Sequence, residues 1–254
     1  MNLKERLLAG ERVVGTMLRI ARNPAVFYLA KNAGLDFLMF DCEHSNYGFE
    51  TLHDAFVLGR ALEIGTFVRV PCGTKDYISR ALDNGATGVM VPMVQTRDDA
   101  EAVVRYSKYA PLGDRGYTGG GAHTGYANGK HKDVMEQGNG SVLSIAQIET
   151  RLAVENVDDI ASMEGIDALL VGPNDLSLSL GIPGDVTNPL EIEAIERVAA
   201  SCRKHNKAFG LHAGGELLER FDKDLTLIMS LTDADLLTRG FRDIEKLKRK
   251  PAGA

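Results

Sequence analysis

The chain has 254 residues, of which 44% are hydrophobic and 25% charged, and it carries a formal net charge of −6 at pH 7. This composition is ordinary for a soluble globular protein, and its one basic block, the tail 246–250, is more typical of a solvated helix end than of a nucleic-acid site. No apolar run approaches the roughly 18 residues that a membrane span needs. Three cysteines without Cys-x-x-Cys spacing favour a reduced protein. We therefore expect a cytoplasmic protein with no nucleic-acid or membrane partner.

Short apolar runs alternate with amphipathic helical patterns along the chain. The predicted strands cover residues 13–18, 35–40, 66–70 and 88–94, then end at Glu149 and at Asp175, and finally cover 208–212 and 225–230. The predicted helices cover residues 24–33, 49–62, 75–84, 97–109, 151–163, 190–205, 216–221 and 233–248. Eight βα units in about 250 residues predict an α/β fold, a single (β/α)8 TIM barrel over residues 1–254, with an open doubly wound sheet as the alternative.

One long segment, residues 112–140, interrupts this alternation. It is polar and contains nine glycines. Loops of this length are usually functional or disordered. We expect the segment to cover a site or to form a subunit contact, and a surface excursion without a role is the alternative.

Two carboxylates, Glu149 and Asp175, end successive predicted strands. Parallel strands that are joined by one helix are usually neighbours, so both side chains would lie where ligands bind, at the carboxyl ends of the strands. Ligation by oxygen alone suits Mg²⁺ or Mn²⁺. The pattern predicts a divalent metal site, and two separately solvated acids are the alternative.

The second and third strands also end in residues that can carry chemistry. His44 follows the second strand, and Asp41 lies three residues earlier, close enough to orient the imidazole, a role that Glu43 can share. Arg69 lies in the apolar run 67–71, where a buried arginine needs an anionic partner. Its guanidinium suits a carboxylate or a developing enolate oxygen, with a structural ion pair as the alternative.

Polar groups near the two carboxylates complete the predicted site. Gln147 lies two residues before Glu149, so both side chains point to the same face of the strand. The turn formed by Gly172, Pro173 and Asn174 offers backbone N–H groups to a substrate carboxylate. Among the other histidines, His212 ends the seventh strand and is a candidate to line the same end of the barrel.

These motifs resemble the HpcH/HpaI aldolase family, in order from about residue 10 to about residue 212. The matching stretches are 41–44 (Asp-Cys-Glu-His), 68–71 (Val-Arg-Val-Pro), 109–116 (Tyr-Ala-Pro-Leu-Gly-Asp-Arg-Gly), 146–149 (Ala-Gln-Ile-Glu) and 172–177 (Gly-Pro-Asn-Asp-Leu-Ser). The family includes metal-dependent class II pyruvate aldolases such as 4-hydroxy-2-oxoheptanedioate aldolase and 2-keto-3-deoxy-L-rhamnonate aldolase. The resemblance implies a barrel that assembles as a homo-oligomer, a trimer or hexamer, with an exchanged C-terminal helix.

The resemblance also implies a reaction and a set of roles. The reaction is cleavage or formation of a 4-hydroxy-2-oxo acid through a pyruvate enolate, with an aldehyde as the second small molecule and Mg²⁺, Mn²⁺ or Co²⁺ as the cofactor. The implied residues are the metal ligands Glu149 and Asp175, the enolate-stabilising Arg69, the acid/base His44 with its partner Asp41, and the site residue Gln147.

Three alternatives remain open, and one of them, a phosphate-handling barrel, is weakened because no Gly-rich turn follows the eighth strand. A CoA-ester lyase or a citrate-synthase-like condensing enzyme would use the same barrel and a similar enolate. A non-catalytic protein that binds 2-oxo acids or metal belongs to a different class. A Schiff-base aldolase is disfavoured, because Lys207 lies at the wrong end of its strand and Lys75 opens a helix.

Overall fold

The computed structural model describes residues 1–248, in which eight parallel strands close into a barrel in sequence order. The strands are β1 (Val13–Leu18), β2 (Phe37–Asp41), β3 (Gly65–Arg69), β4 (Gly88–Val91), β5 (Leu143–Ile148), β6 (Ala168–Val171), β7 (Ala208–His212) and β8 (Leu227–Thr232). The predicted closed barrel is confirmed, and the open sheet is wrong. Residues 249–254, which include Arg249 and Lys250 of the predicted tail, lie outside the described residues.

Helices cover the outside of the barrel. They are α1 (Leu3–Leu8), α2 (Val26–Asn32), α3 (Phe49–Ala61), α4 (Lys75–Asp83), α5 (Arg97–Ser107), α6 (His131–Ser141), α7 (Arg151–Glu155), α8 (Val157–Ala161), α9 (Pro173–Leu180), α10 (Pro189–Lys204), α11 (Glu216–Arg220) and α12 (Asp233–Glu245), with 3-10 turns at Ala122–Thr124 and Lys246–Lys248.

The structure corrects the prediction around the sixth strand. The strand ends at Val171, Gly172 caps the next helix, and Pro173 is the first residue of α9. Proline suits this first helical position because its missing N–H has no intrahelical partner there. Asp175 therefore lies in the first turn of a helix and not at a strand end. The predicted helix 151–163 is also two helices, α7 and α8, because Asn156 leaves the helical conformation.

Side chains inside the barrel come from alternate residues of each strand, as the pleat requires. They form a buried cluster whose strand members are Val13, Met17, Phe37, Met39, Phe67, Met90, Leu143, Ile145, Ala168, Leu170, Ala208, Leu227 and Met229. We call the carboxyl ends of the strands the mouth. On β1, β2, β3, β5 and β7, the same alternation leads from apolar side chains inside the barrel to polar side chains at the mouth. These mouth positions are Arg19, Asp41, Arg69, Gln147, Glu149 and His212.

The glycine-rich segment lies away from the mouth. It joins α5 to β5, so it starts and ends at the amino ends of the strands. From there it packs on the outside of the barrel, where Tyr126 Oη is 3.0 Å from His53 Nε2 of α3 and Arg115 pairs with Asp83 of α4 at 2.7 Å. The segment therefore does not cover the mouth of its own barrel, and a subunit contact stays a prediction. It also contains α6, which the sequence did not predict.

Candidate active site

A buried arginine and two carboxylates form the centre of the mouth. The register pairs Asp41 of β2 with Arg69 of β3. Arg69 Nε donates to Asp41 Oδ1 at 2.9 Å, Nη2 lies 2.9 Å from Oδ2, and Nη1 lies 3.0 Å from Glu43 Oε2. Burial raises the pKa of the Asp41 carboxyl, but the hydrogen bonds and charge of Arg69 outweigh it, so that pKa is lowered overall. The Arg69 guanidinium is thus held as a cation by two carboxylates, those of Asp41 and Glu43.

His44 stands at the edge of this centre. Its side chain is 56% exposed, and its Nε2 lies 3.7 Å from Glu43 Oε2. Asp41, the predicted partner of the imidazole, instead accepts hydrogen bonds from the backbone N–H groups of Glu43 and His44 at 3.1 and 3.2 Å. The carboxylate beside the imidazole is therefore that of Glu43, and Asp41 fixes the loop that carries both residues.

Glu149 and Gln147 form the wall of the mouth at the end of β5. Glu149 follows β5 and is 2% exposed. Its Oε1 accepts from the backbone N–H of Met93 at 2.8 Å, and its Oε2 accepts from the side-chain amide of Gln147. Gly172 passes so close that a Cβ there would lie 2.8 Å from Gln147 Nε2 and 2.9 Å from Glu149 Oε2. Only glycine leaves this pair in place.

The first turn of α9 borders the same wall. Asn174 and Asp175 occupy its second and third positions and are exposed, whereas Pro173 is buried. The side chain of the capping residue makes no hydrogen bond to this turn, because that residue is Gly172. The N–H groups of Asn174 and Asp175 thus have no intrahelical partner, and a helix start of this kind favours an anion.

The charges at this wall fit a divalent cation. Burial, together with the nearby carboxylates of Asp175 and Glu43, raises the pKa of Glu149 to about 7. A buried carboxylate that other carboxylates repel is stabilised when a cation neutralises it. The amide oxygen of Gln147 is also buried without a hydrogen-bond partner. Within residues 1–248 no cluster of three or more His, Cys, Asp or Glu side chains is preassembled for a metal. Two protein carboxylates, with water or substrate completing the shell, are a coordination that Mg²⁺ commonly accepts.

Sequence reasoning named His212, at the end of β7, as a candidate for the mouth, but it overlooked Arg19 after β1. Arg19 follows β1 and places its Nε 3.7 Å from Asp41 Oδ2. Burial lowers the pKa of the half-buried His212, which favours its neutral imidazole. The signal that points to Arg19 is strand alternation, because it continues the inward-facing series of Val13 and Met17.

A closed barrel with ionisable side chains gathered at the carboxyl ends of its strands is the arrangement of a barrel enzyme. The family model described as HpcH/HpaI aldolase/citrate lyase matches residues 17–231. The chain is 36% identical over 215 residues to 4-hydroxy-4-methyl-2-oxoglutarate aldolase of Chaetomium globosum, a match that covers 83% of this chain and 79% of that relative.

Solved structures agree with this match. An HpcH/HpaI aldolase from Desulfitobacterium hafniense superposes with a TM-score of 0.93 at 32% identity, over 100% of this chain and 99% of that chain. A citrate synthase superposes with a TM-score of 0.87 at 28% identity, over 97% and 96% of the two chains. This chain belongs to the HpcH/HpaI aldolase/citrate lyase family, and it is an enzyme, a carbon–carbon lyase of the aldolase type. The alternative of a non-catalytic binding protein is therefore wrong. Among residues 1–248, no helix is both long and apolar enough to cross a membrane.

Proposed function

We propose that this enzyme cleaves or forms a 4-hydroxy-2-oxo acid through a pyruvate enolate and that it requires a divalent metal ion. The observation that carries the proposal is the Arg69 guanidinium, held by Asp41 and Glu43 in the same mouth as the buried carboxylate of Glu149. A fixed cation of this kind suits an oxyanion that develops during the reaction. The C. globosum relative, whose named substrate is itself a 4-hydroxy-2-oxo acid, supports the same substrate class.

The wall formed by Glu149 and Asp175 is the proposed metal site. Mg²⁺, Mn²⁺ or Co²⁺ suits these oxygen ligands, and such a cation, when bound, would supply a Lewis acid for the keto group of the substrate. Gln147 orients Glu149 through its amide N–H and keeps its own carbonyl oxygen free. The N–H groups of Asn174 and Asp175 bind the substrate carboxylate, since they begin a helix and lack intrahelical partners.

Arg69 and His44 divide the remaining chemistry. Arg69 stabilises the negative charge that collects on the enolate oxygen as the C3–C4 bond breaks. His44, which is exposed at the mouth with Glu43 beside it, removes the proton of the C4 hydroxyl, directly or through a water molecule. An aldehyde leaves, and a proton returns to the enolate carbon.

The experiment that tests this function is a screen of aldehydes with pyruvate in the presence of Mg²⁺, Mn²⁺ or Co²⁺, read by mass spectrometry. We expect a product whose mass is the sum of pyruvate and the aldehyde, and no product after removal of the metal. A protein that neither forms such products nor exchanges the methyl protons of pyruvate with deuterium would contradict the proposal.

A citrate-synthase-like condensation is the second candidate, because a citrate synthase shares the fold at 28% identity. That reaction joins a CoA ester to a 2-oxo acid. Adding acetyl-CoA and oxaloacetate to the same screen separates the two functions. An aldolase is expected to give product with pyruvate as the enolate donor, and a citrate-synthase-like enzyme with acetyl-CoA.

We also propose that α12 is exchanged between subunits of a homo-oligomer. Its side chains Phe241 and Ile244 are each 64% exposed, and Leu247 just beyond it is 82% exposed. Within this helix only Asp233 is buried against its own barrel. An apolar side left open on a helix of this length is a surface for another protein chain.

A further inference from the structure

Arg19 carries a charge that the proposed chemistry does not use. Its side chain is 45% exposed at the mouth, and its nearest acidic atom, Asp41 Oδ2, lies 3.7 Å away. Asp41 already pairs with Arg69 through two contacts of 2.9 Å. Within the part of the chain that the structure describes, the Arg19 guanidinium makes no hydrogen bond to another residue. It therefore keeps several donors for a ligand.

The backbone of Arg19 is held in a fixed position. The buried carboxylate of Asp233 accepts hydrogen bonds from three successive N–H groups, those of Arg19 at 2.9 Å, Ile20 at 3.0 Å and Ala21 at 2.7 Å. Asp233 is the first residue of α12, so the start of that helix is tied to the end of β1. A guanidinium on a clamped backbone loses less entropy when it binds an anion.

Arg19 also lies across the mouth from the proposed metal site. In a barrel of eight strands in sequence order, β1 and β5 are opposite each other, and these strands carry Arg19 and Glu149. Arg69, on β3, stands between them, and its Nη2 lies 3.9 Å from the sulfur of Met17 on β1. A substrate whose 2-oxo acid end lies against Glu149 and whose reacting carbons face Arg69 therefore directs its far end toward β1.

We infer that Arg19 binds a carboxylate at the far end of the aldehyde partner, so that this enzyme prefers aldehydes that carry an acid group. The inference rests on the proposed function and specifies its substrate class. Planar guanidinium groups bind carboxylates through paired, charge-assisted hydrogen bonds. The other acidic group that Arg19 faces, Asp235, already accepts hydrogen bonds from Thr232 at 2.8 and 2.9 Å. Asp235 is also exposed on α12, so water screens its attraction for the guanidinium.

The test compares two aldehydes of the same chain length in the metal-loaded enzyme with pyruvate as donor. Succinic semialdehyde carries a terminal carboxylate, and butanal does not. Arg19→Gln removes the charge and keeps a polar side chain, and Arg19→Lys restores the charge without the planar fork. Arg22→Gln is the matched control, because Arg22 lies in the same loop but donates to the Asn46 carbonyl at 2.6 Å and stacks on Tyr47.

We expect the wild-type enzyme to prefer succinic semialdehyde, and Arg19→Gln to lower kcat/KM for it by about 10–100-fold, the usual loss for a hydrogen bond to a charged group. Arg19→Lys should recover part of this loss. Butanal in all variants, and both aldehydes in Arg22→Gln, should change less than about twofold.

Equal losses for both aldehydes, or no preference for the acid in the wild type, would overturn the inference. Deuterium exchange of the pyruvate methyl group separates this failure from a failure of the proposed function. Exchange without a preference for the acid rejects only the role of Arg19. Absence of exchange and of aldol product in the wild type rejects the proposed function and this inference with it.

Discussion

Asp41 and Arg69 face each other across neighbouring strands, and both oxygens of the carboxylate meet the guanidinium, Oδ1 at 2.9 Å from Nε and Oδ2 at 2.9 Å from Nη2. The strand register itself places the two residues side by side. The backbones of β2 and β3 therefore fix the position of the positive charge, which does not depend on how the long arginine side chain rotates. Because Arg69 lowers the pKa of the Asp41 carboxyl, this carboxyl keeps its negative charge to a lower pH than an ordinary carboxyl group does.

Variants of Arg69 and His44 should separate two steps of the proposed reaction. Arg69→Lys keeps the charge but loses the two-pronged contact, and it should slow both aldol cleavage and oxaloacetate decarboxylation, by up to about 10²–10³-fold. His44→Ala should slow aldol cleavage by about 10²–10⁴-fold and largely spare decarboxylation, which has no hydroxyl proton to remove. Steady-state rates of both reactions on both variants are the measurement. Equal losses for His44→Ala in the two reactions would show that His44 only positions the substrate.

Removal of one wall carboxylate should weaken metal binding. Glu149→Gln keeps the size of the side chain but removes the charge that a divalent cation needs. We expect Mn²⁺ affinity, measured by isothermal titration calorimetry, to fall by more than about tenfold, and EDTA to abolish activity of the wild type. Asp159→Asn, an exposed acid away from the mouth, is the control and should bind Mn²⁺ as the wild type does. Full activity in a metal-free sample would contradict the prediction.

Gly172→Ala should damage the same wall through size alone. The φ of −98° at Gly172 is open to any residue, so the cost comes from the Cβ, which would lie 2.8 Å from Gln147 Nε2 and 2.9 Å from Glu149 Oε2. We expect Mn²⁺ affinity to fall by about 10–100-fold while the far-UV circular dichroism spectrum is unchanged. Gly48→Ala is the matched control, because a Cβ there meets no atom within 4 Å. Unchanged affinity in Gly172→Ala would mean that Gln147 and Glu149 move aside freely.

The barrel could be predicted from the sequence because strand and helix patterns alternate eight times, and that alternation survives errors of a few residues at each boundary. Helix α6 could not be predicted, since it contains two glycines and has no buried residue to give it an apolar period. The positions of Asp41, Arg69 and Glu149 relative to their strands could be predicted, whereas Arg19 was overlooked and Asp175 was expected at a strand end instead of in a helix. The contacts between these side chains could not be predicted. The pairing of Asp41 with Arg69 needs the register between strands, and the contact of Glu43 with Arg69 needs the path of the loop.

Glu191 should make stability depend on pH. It lies in the first turn of α10, fully buried, with both oxygens unpartnered, and burial raises its pKa to about 7. A raised carboxyl pKa means that the folded state favours the neutral form, so this stabilisation is complete at low pH and is lost as the pH rises toward 7. Glu191→Gln should raise the free energy of unfolding at pH 8 by about 1–3 kcal/mol and change it little near pH 4.5.

Denaturant unfolding of this variant at both pH values is the measurement. Glu193→Gln, an exposed neighbour on the same helix, is the control and should show no difference between the two pH values. If Glu191→Gln raised the free energy of unfolding equally at both pH values, the pKa of Glu191 would not differ between the folded and unfolded states, and the prediction would be wrong.

Charges on the apolar side of α12 should break the oligomer. Phe241→Asp combined with Ile244→Asp places two carboxylates where we propose that another subunit packs. Burying them costs several kcal/mol, roughly, since neither has a partner. Sedimentation velocity should show a smaller assembly than the wild type, whereas Arg239→Gln on the same helix should keep the wild-type size. A wild-type monomer would contradict the proposal.

Four methionines of the barrel interior, Met17, Met39, Met90 and Met229, each stand one inward-facing position below the mouth. Methionine side chains are unbranched and change rotamer at little cost, whereas valine or isoleucine would hold a single shape. The pocket therefore rests on a deformable base that can adapt to acceptors of different bulk while the strands stay in place. In such an enzyme we expect the selectivity among acceptor aldehydes to come from electrostatic attraction to Arg19. The size of the aldehyde alone should discriminate poorly between substrates.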